Sequence, residues 1–237
     1  MLHATLLALN ALERQLASAM YHQADHHTPT RHESTDTFML MPHRRGAPLP
    51  SLRKTIVETR ASATVVILPL FLQLDPMIFW THREHHIPHA AAAPHQPLVA
   101  VELIRQLKPQ LVIGTPHTAR RVETALAEAN VDAPFSWHLI CDPRHFELLA
   151  TSRLVYYDLH TIPGRSVAHQ CSHLALKKQS QFHLSCEHTW RENSGVLYAT
   201  DIDQTLPAPL TDFAALTGHI THEPCPCGDG RTCTLQS

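Results

Sequence analysis

The sequence predicts an α/β fold: a parallel sheet with crossover helices, followed by a β-rich subdomain. Two patterns carry that expectation. From about residue 60 to 150, short β-branched or aliphatic runs alternate with segments of helical period, an alternation that parallel strands joined by helical crossovers accommodate. After residue 153 the apolar runs are strand-like and are punctuated by Gly164, Gly195 and Gly218.

Leu2, Leu6, Leu9, Leu12, Leu16 and Met20 recur near helical spacing with Glu13 and Arg14 opposite, so residues 2–20 are expected to form an amphipathic helix. Residues 21–50 are rich in His, Thr, Pro and charge without periodicity and end in turn formers, which predicts a loose connection and a boundary near 50. Ala63–Pro69 is a β-branched run suited to a buried strand. Val99–Leu107 has helical spacing, and Pro109 sits where the chain must leave that helix. Leu111–Gly114 reads as the next strand, Thr118–Asn130 as a helix with Glu123 and Glu128 facing outward, and Trp137–Cys141 as a third strand. Further strands are expected at 154–157, 181–184 and 196–200. The chain then divides into a helical arm and linker at 1–50, an α/β part at 51–153, and a β-rich part at 154–237 that carries a Cys-Pro-Cys-Gly knuckle.

With 237 residues and 43% hydrophobic content the chain can bury a large core. A formal net charge of -2 supplies no basic field for nucleic acid, so no nucleic-acid partner is expected. The longest apolar run, Thr64 to Leu74, is about half of the roughly 20 residues a membrane span needs. Neither a membrane partner nor a secretory signal is expected, and a cytoplasmic location follows. Most of the 21 histidines are scattered and read as solvated surface. Only seven glycines are present, few for an enzyme that must wrap backbone around phosphates.

The six cysteines crowd into the last hundred residues, unlike a disulfide framework. Cys225-Pro-Cys227-Gly228 is the strongest local chemistry, because two thiolates on a tight turn converge easily on a metal whereas a disulfide between them would be strained. No Gly-x-Ser-x-Gly elbow exists for a serine hydrolase, and Cys141-Asp-Pro offers only one thiol at a strand end.

Several motifs follow one another in order. Ala100 to Pro116 is a helix, a strand and a Gly-Thr-Pro turn; Cys141-Asp-Pro143, Tyr157-Asp-Leu-His160 and Val167-Ala-His-Gln-Cys171 follow. The chain closes with Gly195-Val-Leu-Tyr-Ala-Thr-Asp-Ile-Asp203, Leu206-Pro-Ala-Pro-Leu210, Leu216-Thr-Gly-His219 and the knuckle. Over about residues 60–230 this series resembles the phenylacetate-CoA ligase group of adenylate-forming ligases. The resemblance implies part of an adenylate-forming ligase core and a nucleotide or substrate pocket drawing on Gly114, Thr115, Pro116, His160, Thr161, Thr217 and Gly218. It also implies that Cys171 and His183 complete a zinc site with Cys225 and Cys227; His173, Cys186 and His222 are competing ligands, and thiols without metal are the alternative.

Departures from the family pattern bear on activity. Gly46 is the only glycine between residues 30 and 80, where the family has a glycine-rich phosphate loop. The Tyr-x-x-Thr-Glu motif falls at His160–Gly164, so Pro163 and Gly164 replace its hydroxyl and carboxylate. The ribose-holding Asp falls at His219, and a neutral imidazole lacks the bidentate acceptor of a carboxylate. The family's lysine domain follows the knuckle and is expected to lie outside residues 1–237.

Three readings follow. The first is a truncated AMP-binding, acyl-CoA ligase-like pseudoenzyme that acts as a carboxylate-binding or accessory subunit. The second is an active acid-thiol ligase using ATP and magnesium, completed by a second chain. The third is a zinc-stabilised interaction module that forms a homodimer through residues 2–20.

Overall fold

The computed structural model of the chain describes residues 50–68, 81–82, 85–143, 146–162, 165–177, 180–186, 188–201, 214–221, 224–228 and 230–235. The 2–20 segment, nearly all of the 21–50 connection, the Leu206–Leu210 segment, Pro163, Gly164 and His222 lie outside those residues.

The first half contains α1 (Pro50–Thr59), β1 (Thr64–Ile67), β2 (His89–Ala92), α2 (Pro97–Leu107), β3 (Leu111–Gly114), α3 (Pro116–Glu128), β4 (Ser136–Cys141) and β5 (Val155–Ile162). Its strands lie parallel in the order β2-β1-β3-β4-β5, and Leu111–Gly114 pairs with Ser136–Leu139 in one sheet as expected. Alternation along β1 explains why the run is apolar throughout. Val65 and Ile67 pack into the core shared with α2 and α3, whereas Val66 and Leu68 pack with Leu52 and Ile56 of α1.

Local chemistry sets the helix ends. Pro97 and Pro116 start α2 and α3, where a missing N–H costs nothing. Thr115 caps α3: its hydroxyl accepts from the Thr118 amide at 3.3 Å, and Thr118 Oγ1 accepts the Thr115 amide at 2.8 Å. A Cβ on Gly114 would sit 2.8 Å from Thr118 Oγ1, so only glycine fits beside this cap. Lys108 at φ 46° and Asn130 at φ 50° take left-handed conformations just past α2 and α3.

Two differences from the sequence reading have clear causes. Glu123 does not face outward: its Oε1 accepts the Trp137 indole N–H at 2.6 Å and the Arg153 Nε–H at 3.0 Å. A fully buried indole needs an acceptor, and that need draws the carboxylate inward. Strand β2 is a further difference, since His-Ala-Ala-Ala has little strand propensity and takes its form from pairing with β1.

The second half contains β6 (Arg165–His169), α4 (Ser172–Lys177), β7 (Gln181–Leu184), β8 (His188–Asn193), β9 (Val196–Asp201), β10 (Ala214–Thr221) and β11 (Thr232–Leu235). It continues the sheet antiparallel from β5 in the order β6-β7-β11-β10-β9-β8. The segment after 153 is therefore mainly β, as expected. Phe182, Leu197, Leu216 and Leu235 join the core formed by Trp137, Leu139 and Leu159, so burial runs without a break across residue 153. Among the described residues no helix is long and apolar enough to cross a membrane.

Candidate metal centre

Strand pairing assembles four ligands that are distant in sequence. His183 lies on β7, and β7 pairs with β6 on one side and β11 on the other. Cys171 stands just past β6, and the Cys225–Gly228 turn lies shortly before β11. Both neighbours of β7 thus deliver thiols to its histidine. His183 Nε2 lies 3.3 Å from Cys171 Sγ and 3.2 Å from Cys227 Sγ, and Cys171 Sγ lies 3.6 Å from Cys225 Sγ. All four ligand atoms fall within 4.8 Å of one another.

The knuckle's geometry follows from its glycine. Gly228 adopts φ 80°, and its amide donates to the Cys225 carbonyl at 3.0 Å, closing the turn on which both sulfurs sit. Cys171, His183 and Cys225 are buried, whereas Cys227 is exposed. Burial pushes the Cys171 thiol up to about 12 even though the Leu174 amide hydrogen bond opposes the shift.

The donor set fits a tetrahedral ion. Zinc–sulfur bonds of about 2.3 Å and a zinc–nitrogen bond of about 2.0–2.1 Å at tetrahedral angles place sulfurs about 3.8 Å apart and sulfur about 3.5 Å from nitrogen. Three of the six separations, those given above, lie within ~0.4 Å of those values. Three sulfurs and one imidazole could hold a metal ion with no position left for water, which is the pattern of a structural site. Among the described residues no other cluster of this kind is present: the exposed Cys186 and the half-buried His173 both lie outside the group.

Helix α1 borders this cluster. Lys54 Nζ donates to Cys227 Sγ at 3.5 Å, and Glu58 Oε2 accepts the Ser172 amide at 2.8 Å.

A second buried polar cluster lies under α1. Asp158 accepts from Ser51 through Oδ2 and from Ser166 through Oδ1, and its Oδ2 lies 2.9 Å from His160 Nε2 and 3.4 Å from His138 Nε2. Thr55 Oγ1 contacts His138 Nδ1 at 3.1 Å. Burial alone would raise the Asp158 carboxyl, but the His160 imidazole beside it, and then His138, outweigh burial and hold the group well below its usual range. Serine, histidine and aspartate meet here, yet aspartate is the hub and neither serine bonds a histidine. Nucleophilic activation requires serine on histidine, so the cluster is not a hydrolase triad. At Cys141, burial, then Asp158 and Asp142, push the thiol well above the ordinary range, which disfavours the thiolate that a nucleophile needs.

The residues implied for a nucleotide pocket are dispersed in role. Thr115 spends its hydroxyl on the α3 cap. His160 is sealed beside Asp158, and Thr161 follows it on β5. Thr217 and His219 are exposed on β10, with Gly218 buried between them. A Cβ on Gly218 would collide with the Thr234 carbonyl oxygen and lie 3.0 Å from Leu235 Cα, so glycine permits the close approach of β10 and β11. His219 Nδ1 lies 2.8 Å from Glu192 Oε1, and Glu192 Oε2 accepts the Ile220 amide at 2.9 Å. Sequence reading missed Glu192, Lys54 and Ser51, whose partners are distant in the chain.

No protein family matches the chain, and no curated protein does. Solved structures do match. An open conformation of 2-hydroxyisobutyryl-CoA ligase in complex with 2-HIB-AMP and CoA is similar at a TM-score of 0.56 and 13% identity, over 73% of this chain and 43% of that one. The same ligase in the thioesterification state, with 2-HIB-AMP and CoA, gives a TM-score of 0.54 and 14% identity over 85% and 50%. The postadenylation state with 2-HIB-AMP gives 0.53 and 12% over 78% and 46%. The chain matches half or less of the length of these ligases, and at such identity the likeness speaks to architecture alone. The α/β sheet and its β-rich continuation therefore have the fold of part of an adenylate-forming ligase core.

Proposed function

We propose that this chain is a ligase-derived scaffold, held by a structural zinc at Cys171, His183, Cys225 and Cys227, that serves as a carboxylate-binding or accessory subunit and does not form acyl-adenylate by itself. One observation carries the reading. At the position where the resemblance to phenylacetate-CoA ligases calls for the ribose carboxylate stands His219, engaged with Glu192 at 2.8 Å. Adenylation joins a carboxylate to the α-phosphate of ATP with release of pyrophosphate, and it needs donors and a metal-placing carboxylate where charge builds. The motif that would place that carboxylate ends in Pro163-Gly164. Carboxylate-dependent exchange of radiolabelled pyrophosphate into ATP tests the reading. No exchange is expected with a panel of aromatic and aliphatic acids; exchange by the chain alone would refute it.

A second reading rests on Glu192. Its carboxylate borders a cavity of about 520 Å³ that Arg231, Thr221 and Thr232 also line. In an active ligase completed by another chain, Glu192 would supply the ribose acceptor that His219 cannot. Calorimetry of ATP with and without magnesium separates the readings: magnesium-dependent binding that Glu192→Gln abolishes favours the second.

A further inference from the structure

We propose that Lys54 is a positioning residue of the metal site, the outer cation that holds the exposed Cys227 thiolate in place and slows loss of the ion. The inference rests on the zinc reading and concerns residues outside the ligand set. Three thiolates and a neutral imidazole around a divalent ion leave one net negative charge. Three of the ligands are enclosed by protein, whereas Cys227 faces solvent. It is the ligand that water, protons or a competing chelator reach first. The ammonium of Lys54 donates to its sulfur at 3.5 Å, placing a positive charge where the excess negative charge is least shielded.

The backbone of Lys54 is fixed independently of that contact. Leu52 and Ile56 of α1 are buried against the sheet. Ser51 donates to Asp158, and Thr55 contacts His138. One helical turn on from Lys54, Glu58 accepts the amide of Ser172, the residue after Cys171. A single rigid helix therefore touches both halves of the ligand set: the knuckle through Lys54 and the β6–α4 corner through Glu58. A long side chain on a mobile loop would lose this bond to solvent, whereas α1 presents it at a set distance.

Outer partners of metal ligands typically change affinity 10–100-fold. The test uses the full chain loaded with zinc, as wild type, Lys54→Met, Lys54→Arg and Glu58→Gln. Zinc affinity is read by competition with a chromophoric chelator, and the release rate by adding excess chelator. Cobalt substitution reports thiolate number through the sulfur-to-metal charge-transfer band. Lys54→Met is expected to weaken zinc at least about tenfold and to speed release, with Lys54→Arg recovering most of the loss. Salt should speed release from wild type more than from Lys54→Met, because only the former has a charge to screen. Should Lys54→Met release zinc at the wild-type rate while its cobalt band still reports three thiolates, the proposal is overturned and the metal site stands. A wild-type chain that takes up no zinc overturns both.

Discussion

His160 Nε2 lies 2.9 Å from Asp158 Oδ2, with both side chains sealed from solvent at 2% and 0% exposure. An ionised carboxylate this deep is tolerated only while its partners remain in place, and that makes the pair a determinant of acid stability.

The Asp158 carboxyl ionises well below its usual range in the folded chain, so its contribution to stability is present above the unfolded value of about 4. It is lost as pH falls from there through the folded value, because the unfolded chain takes up the proton first. Urea midpoints of the wild type should drop across that acid window. Asp158→Asn should lower stability near pH 7 by about 3–5 kcal/mol and flatten the acid slope. A midpoint at pH 7 equal to wild type would count against the role given to this hub.

Metal analysis of the purified chain should give about one zinc per molecule. Cys225→Ser should abolish stoichiometric uptake and lower stability by more than about 3 kcal/mol, since metal-binding free energy becomes folding free energy. Adding a strong chelator to the wild type should reproduce the melting behaviour of that variant.

Glu123→Ala leaves the buried Trp137 N–H without an acceptor and Arg153 without its carboxylate partner. The expected cost is about 1–3 kcal/mol, read from chemical denaturation. Glu128→Ala on the exposed end of α3 should stay within about 0.5 kcal/mol of wild type, and it serves as the control.

Gly218→Ala drives a methyl group into the Thr234 carbonyl and Leu235. Both are backbone obstacles that cannot rotate away, so a destabilisation of about 1–3 kcal/mol or more is expected, with loss of amide protection in β10 and β11. Unchanged hydrogen exchange in those strands would show that the two can part without cost.

The parallel half was legible because its signal is local. Val65 and Ile67 serve one face and Val66 and Leu68 the other, so the buried run itself announces a strand covered on both sides. The strand at 181–184 has the bounds the sequence suggested. His89–Ala92 was not readable, since nothing in three alanines distinguishes a strand until β1 lies beside them. The candidate metal ligands were legible only in part. Cys225 and Cys227 announce themselves by spacing, whereas Cys171 and His183 came from the family resemblance and are joined to them by the pairing of β7 with β6 and β11. Asp158 and His160 stand out in the sequence only through the Tyr157-Asp-Leu-His160 motif, and their hub with Ser51 is not legible, because Ser51 is 107 residues away and no periodicity links them.

Under the zinc proposal, the positions of Cys171 and Cys225, 54 residues apart, would give an ion held there a topological consequence. Tying these points together makes β7, β8, β9 and β10 a ring closed at its base. In the loop-entropy description of cross-links, a closure of that length removes about 4 kcal/mol of freedom from the unfolded chain. Unlike a disulfide, this tie can be undone without electrons. On that proposal, availability of metal rather than redox state would set whether this portion of the sheet opens as one cooperative unit or strand by strand.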